Sequence, residues 1–243
     1  MRIVADGASD VGQVRSNNED GFHCGRTVFA VADGLGGHAA GEVASALAIE
    51  QVAEAEGADF DSEQAAAAAL SEAVQDANRA VLEDARATPE HAGMGTTLTA
   101  AVRWVDTLVL AHVGDSRAYL LRHGERLRRL TTDHNAAEEA VQAGYLTREQ
   151  AARHPERHSL TRVVGLEPDI PVDTPDPVAL RPGDRVLLCS DGLTEVVGDD
   201  DIAELLAGAD DPRAACEALI EATLERGAPD NVTVVVLAAE SDE

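Results

Sequence analysis

Apolar positions along this chain follow two periods. Short runs rich in β-branched residues, most of them ending at Gly or Asp, predict strands at Val28–Ala32, Thr96–Trp104, Thr107–Val113, Arg117–Arg122, Arg185–Ser190 and Val232–Leu237. Helical spacing takes over at Ala39–Glu56 and Ser62–Ala87. In the second of these, Leu70, Val74, Ala77 and Val81 recur at steps of four, three and four. Ser62 is placed to cap that helix, and Thr88-Pro89 stops it by withholding a backbone donor. Further helices are expected at Ala136–Ala143, Thr147–Arg153, Asp200–Leu206 and Pro212–Arg226.

Turn signals at Val105-Asp106, Gly114-Asp115 and His123-Gly124 make the three middle strands read as an antiparallel meander. The short polar pair of helices after it, broken at Gly144, reads as a flap on the body. Pro168–Pro182 reads as an extended connector. This order of strands and paired helices favours a layered α+β domain over a doubly wound parallel sheet.

Charge and composition narrow the occupations open to such a domain. The 243 residues carry 45 acidic and 19 basic side chains, a net charge of −26, and every basic residue is Arg. Such a surface repels nucleic acid and anionic lipid, and 2% aromatic residues are too few for base-stacking platforms. A hydrophobic share of 44% is enough for a large core. Cys24, Cys189 and Cys216 are odd in number and lack metal-ligand spacing, so reduced thiols are expected. No apolar run approaches the ~18 residues of a membrane span, and Met1–Gly7 lacks a signal-peptide core, so a soluble, cytoplasmic protein is expected.

The chemistry concentrates where apolar strands meet Asp. Asp33-Gly34 and Asp191-Gly192 stand at strand ends, and Asp230-Asn231 immediately precedes Val232. A single Asp-Gly pair is most often only a turn. Three such carboxylates at the mouths of buried strands would repel one another unless cations lay between them. With Glu19-Asp20 and Asp115 added, the set is all oxygen, which suits two or three hard divalent ions that keep several waters, manganese or magnesium. The Gly34–Gly37 and Gly93–Gly95 stretches lack the Lys and Ser/Thr that end a nucleotide P-loop.

Seven ordered segments carry a resemblance. They are Arg15–Asp20, Ala32–His38, Gly93–Thr97, Val113–Arg117, Leu130–His134, Ser190–Leu193 and Pro229–Thr233. Together they resemble the bacterial branch of the metal-dependent Ser/Thr protein phosphatases, type 2C (PPM), over nearly the whole chain. The resemblance implies a four-layer α/β/β/α sandwich, in which two antiparallel sheets are flanked by helix pairs. It implies one catalytic domain over 1–243 with a flap subdomain at about 133–158. It also implies hydrolysis of phosphoserine and phosphothreonine in proteins by a metal-activated water. Asp33 and the Gly34 carbonyl would hold metal together with Asp191 and Asp230, Glu19 and Asp20 would act nearby, and Asp115 with Asp191 would match a third-metal site. Arg15 would bind phosphate. Targets of Ser/Thr kinases are the implied partners, with the chain acting as a monomer in bacterial signalling.

One position departs from the family pattern. Leu35 stands where a general-acid His is expected, leaving His38, and behind it His134, as replacements. The remaining histidines, His154 and His158 among them, are expected at the surface. Two other functions stay open at this level: a catalytically silent phosphatase-fold protein that binds or senses a ligand, and a phosphatase dedicated to one transcription regulator.

Overall fold

The computed structural model describes residues 1–36 and 40–241. Among the described residues eleven strands, all paired antiparallel, form two sheets. The first takes the order β1 (Arg2–Asp10), β11 (Val232–Glu240), β10 (Arg185–Cys189), β7 (Arg117–Leu121) and β8 (Arg128–Arg129). The second runs β2 (Asp20–Cys24), β3 (Val28–Leu35), β5 (Leu98–Trp104), β6 (Thr107–Val113) and β9 (Val178–Ala179), with β4 (Gly95–Thr96) pairing β3.

Alternation along the central strands sorts side chains into three apolar layers. Phe29 and Val31 of β3, Val186 and Leu188 of β10, and Val235 and Leu237 of β11 pack between the sheets. The intervening Val28, Ala30 and Ala32 face α1 (Gly41–Ala53) and α2 (Glu63–Ala87). On the opposite side Leu187, Cys189, Val232, Val234 and Val236 meet α6 (Asp199–Gly208) and α7 (Pro212–Glu225). The result is the expected α/β/β/α sandwich. The Ser62 cap is as expected, its side chain accepting from Ala65 N, and Asp211 caps α7 in the same way by accepting from Ala214 N.

Three features correct the pattern-based expectation. The supposed meander is split, because β5 and β6 form a hairpin in one sheet while β7 crosses to the other. The crossing is made at Gly114, whose φ of 107° and contact with Thr97, where a Cβ would sit 2.6 Å from the Thr97 Cβ, demand glycine. Strands β1, β2 and β8 lie outside the runs that the pattern singles out. The connector is not wholly irregular, since it contributes β9 and a bridge from Asp173 to His112.

Between β8 and the connector, α3 (Ala136–Gln142) and α4 (Arg148–Ala151) form the flap segment. Its two ends are tied together by a bridge between Asn135 and Leu160 and by Thr161 N donating to His134 O at 2.9 Å.

Candidate active site

The mouth between the two sheets gathers the acids that the sequence singles out. Asp33 lies inside β3 and pairs in register with Asp20 of β2. Asp191 opens the short helix α5 (Asp191–Thr194) directly after β10, Asp230 precedes β11, and Asp115 stands in the crossing from β6 to β7. A pocket of about 570 Å³ is lined by Arg15, Glu19, Asp33, Gly34, Asp115, Asp191 and Asp230.

Neither Asp-Gly pair is a simple turn. A Cβ on Gly34 would overlap the Gly41 carbonyl oxygen, and one on Gly192 would overlap that of Asn231. In both cases glycine lets a second segment of backbone close against the strand end that carries the Asp. Thr97 fixes Asp33 further, its Oγ1 accepting from Asp33 N at 2.9 Å while Thr96 Oγ1 donates to Asp33 O at 2.9 Å.

The carboxylates sit uneasily together. Burial lifts the Asp33 carboxyl well above its ordinary value, and the charges of Asp20, Asp191, Asp115 and Asp230 add to the shift. Burial pushes Asp115 up to about 8, with Asp191 and Asp133 reinforcing it. Asp20 is pushed up to about 7 by burial, although Ser190 Oγ donates to its Oδ2 at 2.8 Å. Its Oδ1 is buried without a hydrogen-bond partner. Glu19 is raised by burial and by the neighbouring Glu42. Arg15 Nη2 donates to Asp230 Oδ2 at 2.7 Å, and this bond raises the Arg15 pKa further.

An oxygen-only donor set, mutual repulsion and an orphaned carboxylate oxygen are what a hard divalent cation would satisfy. Among the described residues no three His, Cys, Asp or Glu side chains already converge on one ligating point. The acids line an open pocket rather than close a cage, an arrangement fitting ions that keep much of their water. The residues therefore fit the divalent ions that the sequence implies.

Other nucleophiles are accounted for structurally. Ser116 is fully buried with its Oγ 2.7 Å from Thr97 Oγ1, and Ser190 Oγ spans Asp20 and Thr233 N. Burial pushes the Cys24 thiol up to about 11 and those of Cys189 and Cys216 to about 12, so all three are poor thiolates.

Several site residues were not legible in advance. Asn231 ties the site's loops together: its Oδ1 accepts from Glu19 N and its Nδ2 donates to Val11 O and Asn17 O, each at 2.9 Å. Glu42 and His158 line the pocket. His158, expected merely at the surface, places Nδ1 3.8 Å from Asp191 and Nε2 3.0 Å from Glu195. The neighbouring carboxylates of Asp191 and Glu195 hold its pKa above the usual histidine value. Of the candidate acids, His38 lies outside the described residues. His134 is buried behind the pocket, between Gly114 and Asp173, rather than in its lining.

Comparison with known proteins shows the family. The model of the protein phosphatase 2C family matches residues 13–226. A Ser/Thr protein phosphatase, PstP, of Mycobacterium tuberculosis is 43% identical over 231 residues, covering 94% of this chain and 43% of the relative. The chain thus spans less than half the length of that relative. A Ser/Thr phosphatase of Listeria monocytogenes is 34% identical over 240 residues, covering 96% of this chain and 94% of the relative. The crystal structure of the PstP catalytic domain in complex with two manganese ions superimposes with a TM-score of 0.87 at 40% identity, covering 98% of this chain and 99% of the other. The chain belongs to the protein phosphatase 2C family.

Proposed function

We propose that the protein hydrolyses phosphoserine and phosphothreonine esters in other proteins, in a reaction that depends on manganese or magnesium. The carrying observation is the convergence of Asp33, Asp115, Asp191 and Asp230 with Arg15 on one pocket, backed by the unpartnered Oδ1 of Asp20. Asp33, Asp191, Asp230 and the Gly34 carbonyl would hold two ions, Asp115 with Asp191 a third, and Glu19 and Asp20 would act on their waters. Divalent cations there supply positive charge for the phosphoryl oxygens and acidify a water to serve as nucleophile.

The chain's own groups do the rest. Hydrolysis adds water oxygen to phosphorus, breaks the bond to the Ser or Thr oxygen and returns a proton to that leaving oxygen. Arg15 can keep one N–H on Asp230 while the rest of its planar fork takes phosphoryl oxygens. Asn231 and Thr97 hold the Glu19 and Asp33 backbones in place. No side-chain nucleophile and no phosphoenzyme are required.

The reading extends to a single catalytic unit over 1–243, with residues 133–158 as a flap, acting as a cytoplasmic monomer on targets of Ser/Thr kinases. Among the described residues no helix is long and apolar enough to cross a membrane. The test is phosphate release from a phosphothreonine peptide with manganese, magnesium or calcium and with a chelator. Turnover with manganese or magnesium and none with chelator is expected; turnover undiminished by chelator contradicts the reading.

A further inference from the structure

Beside the acidic pocket, between the flap and the body, lies a larger hollow of about 700 Å³. The two meet at Asp115, His158 and Asp191. Five of the 19 arginines line it, in a chain whose net charge is −26. Those five are not equivalent. Arg117 is locked on Asp133 through Nε at 2.9 Å and Nη2 at 2.6 Å, and Arg129 stands 3.5 Å from Asp133 and 3.2 Å from Glu138. Arg157 is 3.5 Å from Glu195, a carboxylate it shares with His158. Arg148 and Arg153, exposed at the start of α4 and just after it, have no acidic partner among the described residues.

The acids of the same wall are already engaged. Asp133 and Glu138 hold the two inner arginines, Glu195 holds Arg157 and His158, and Asp199 accepts the Tyr119 hydroxyl at 3.3 Å. Asp115 and Asp191 belong to the acidic pocket. The flap edge of the hollow therefore offers two uncommitted guanidiniums. Their planar forks match phosphoryl and carboxylate oxygens, and they stand beside the place where a phosphoresidue would be hydrolysed.

We propose that this hollow is a substrate subsite, which takes a second anionic side chain, phosphoryl or carboxylate, lying a few residues from the phosphoresidue in the acidic pocket. The proposal rests on the phosphatase reading and adds to it a preference for acidic or multiply phosphorylated segments. An acidic protein would otherwise repel such segments over most of its surface.

The test compares the manganese-loaded protein with its Arg148→Ala/Arg153→Ala double variant. Substrates are p-nitrophenyl phosphate and two phosphothreonine peptides that differ only in carrying glutamates or glutamines beside the phosphoresidue, with inorganic phosphate as a competitor. The wild type is expected to favour the glutamate peptide by about threefold to tenfold in kcat/KM, through KM, with the preference shrinking as salt is added. The double variant should lose that preference while keeping its rates on the glutamine peptide and on p-nitrophenyl phosphate, which also certifies its fold. Equal preference in both proteins, or none in the wild type, overturns the proposal. Inhibition by free phosphate that is relieved in the double variant, with no peptide preference, assigns the arginines to free phosphate alone and overturns it too. Absence of hydrolysis of every substrate by both proteins overturns the phosphatase reading and the subsite with it.

Discussion

His134 and Gly114 hold each other twice: His134 N donates to Gly114 O at 2.7 Å, and Gly114 N donates to His134 Nδ1 at 3.1 Å. The clasp joins the root of the flap to the turn that carries Asp115 from one sheet to the other. Behind it, His134 Nε2 lies 3.1 Å from Asp173 Oδ2, and Arg162 Nη1 donates to Asp173 Oδ1 at 2.6 Å. His112 stacks against His134 with ring centroids 4.7 Å apart, its Nε2 3.0 Å from Thr132 O. A residue that offers a donor and an acceptor to one glycine thus fixes where an acidic ligand candidate stands.

Removing the His134 side chain leaves the buried Gly114 N–H without an acceptor. His134→Ala is expected to cost about 1–3 kcal/mol of stability, read as a lowered urea midpoint with unchanged slope. Gly114→Ala should also destabilise, because its positive φ and Thr97 both resist a Cβ. A midpoint unchanged in both variants would remove the clasp from the account.

Asn231 is 5% exposed and serves three backbone groups on two other segments. Asn231→Ala strands all three, at an expected cost of about 2–4 kcal/mol. Asn231→Asp keeps the acceptor for Glu19 N but loses both donors and adds a charge to the acidic cluster. It should fail similarly in metal-free buffer and recover in part when manganese is added.

The raised carboxyls give the metal-free protein a pH dependence of definite sign. Asp20 and Asp115 bind protons more tightly folded, at about 7 and about 8, than at their ordinary 3.8. Their contribution is complete below the ordinary value and is lost as pH rises through the folded values. Buried His112, pushed down to about 3 by burial and by His134, works the other way, but only below its ordinary 6.5. Between about pH 6.5 and 8.5 the carboxyls therefore set the slope, and stability in chelator should fall by up to about 1.4 kcal/mol per pH unit for each proton released. Asp115→Asn should flatten the upper half of that window. Manganese should oppose the fall, because ligation competes with protons.

Much of this was legible in the residues. β3, β10 and β11 announce themselves as apolar runs, and the Asp at or beside each is what brings charge to the sheet mouth. The edge strand β1 stayed hidden because Asp6-Gly7 inside it reads as a turn. Its nine-residue pairing with β11 is made by backbone groups, with side chains mostly half-buried. The departure of β7 to the other sheet was equally invisible, since a hairpin glycine and a crossing glycine look alike until Thr97 is seen against Gly114. His158 is a polar histidine on a polar flap. Only the joining of Asn135 to Leu160 brings it to Asp191. Asn231 reads as part of an Asp-Asn turn, and its reach to Val11 and Asn17 spans more than two hundred residues.

The central claim is that Asp33, its carboxyl lifted by burial and by its acidic neighbours, organises the cations on which hydrolysis depends. The direct measurement is phosphate release from a phosphothreonine peptide by Asp33→Asn and by the parent protein, both in saturating manganese and both shown folded by the same urea midpoint or a higher one. Loss of turnover on the order of 10²-fold or more in the variant is expected. Turnover equal to that of the parent protein would contradict the account.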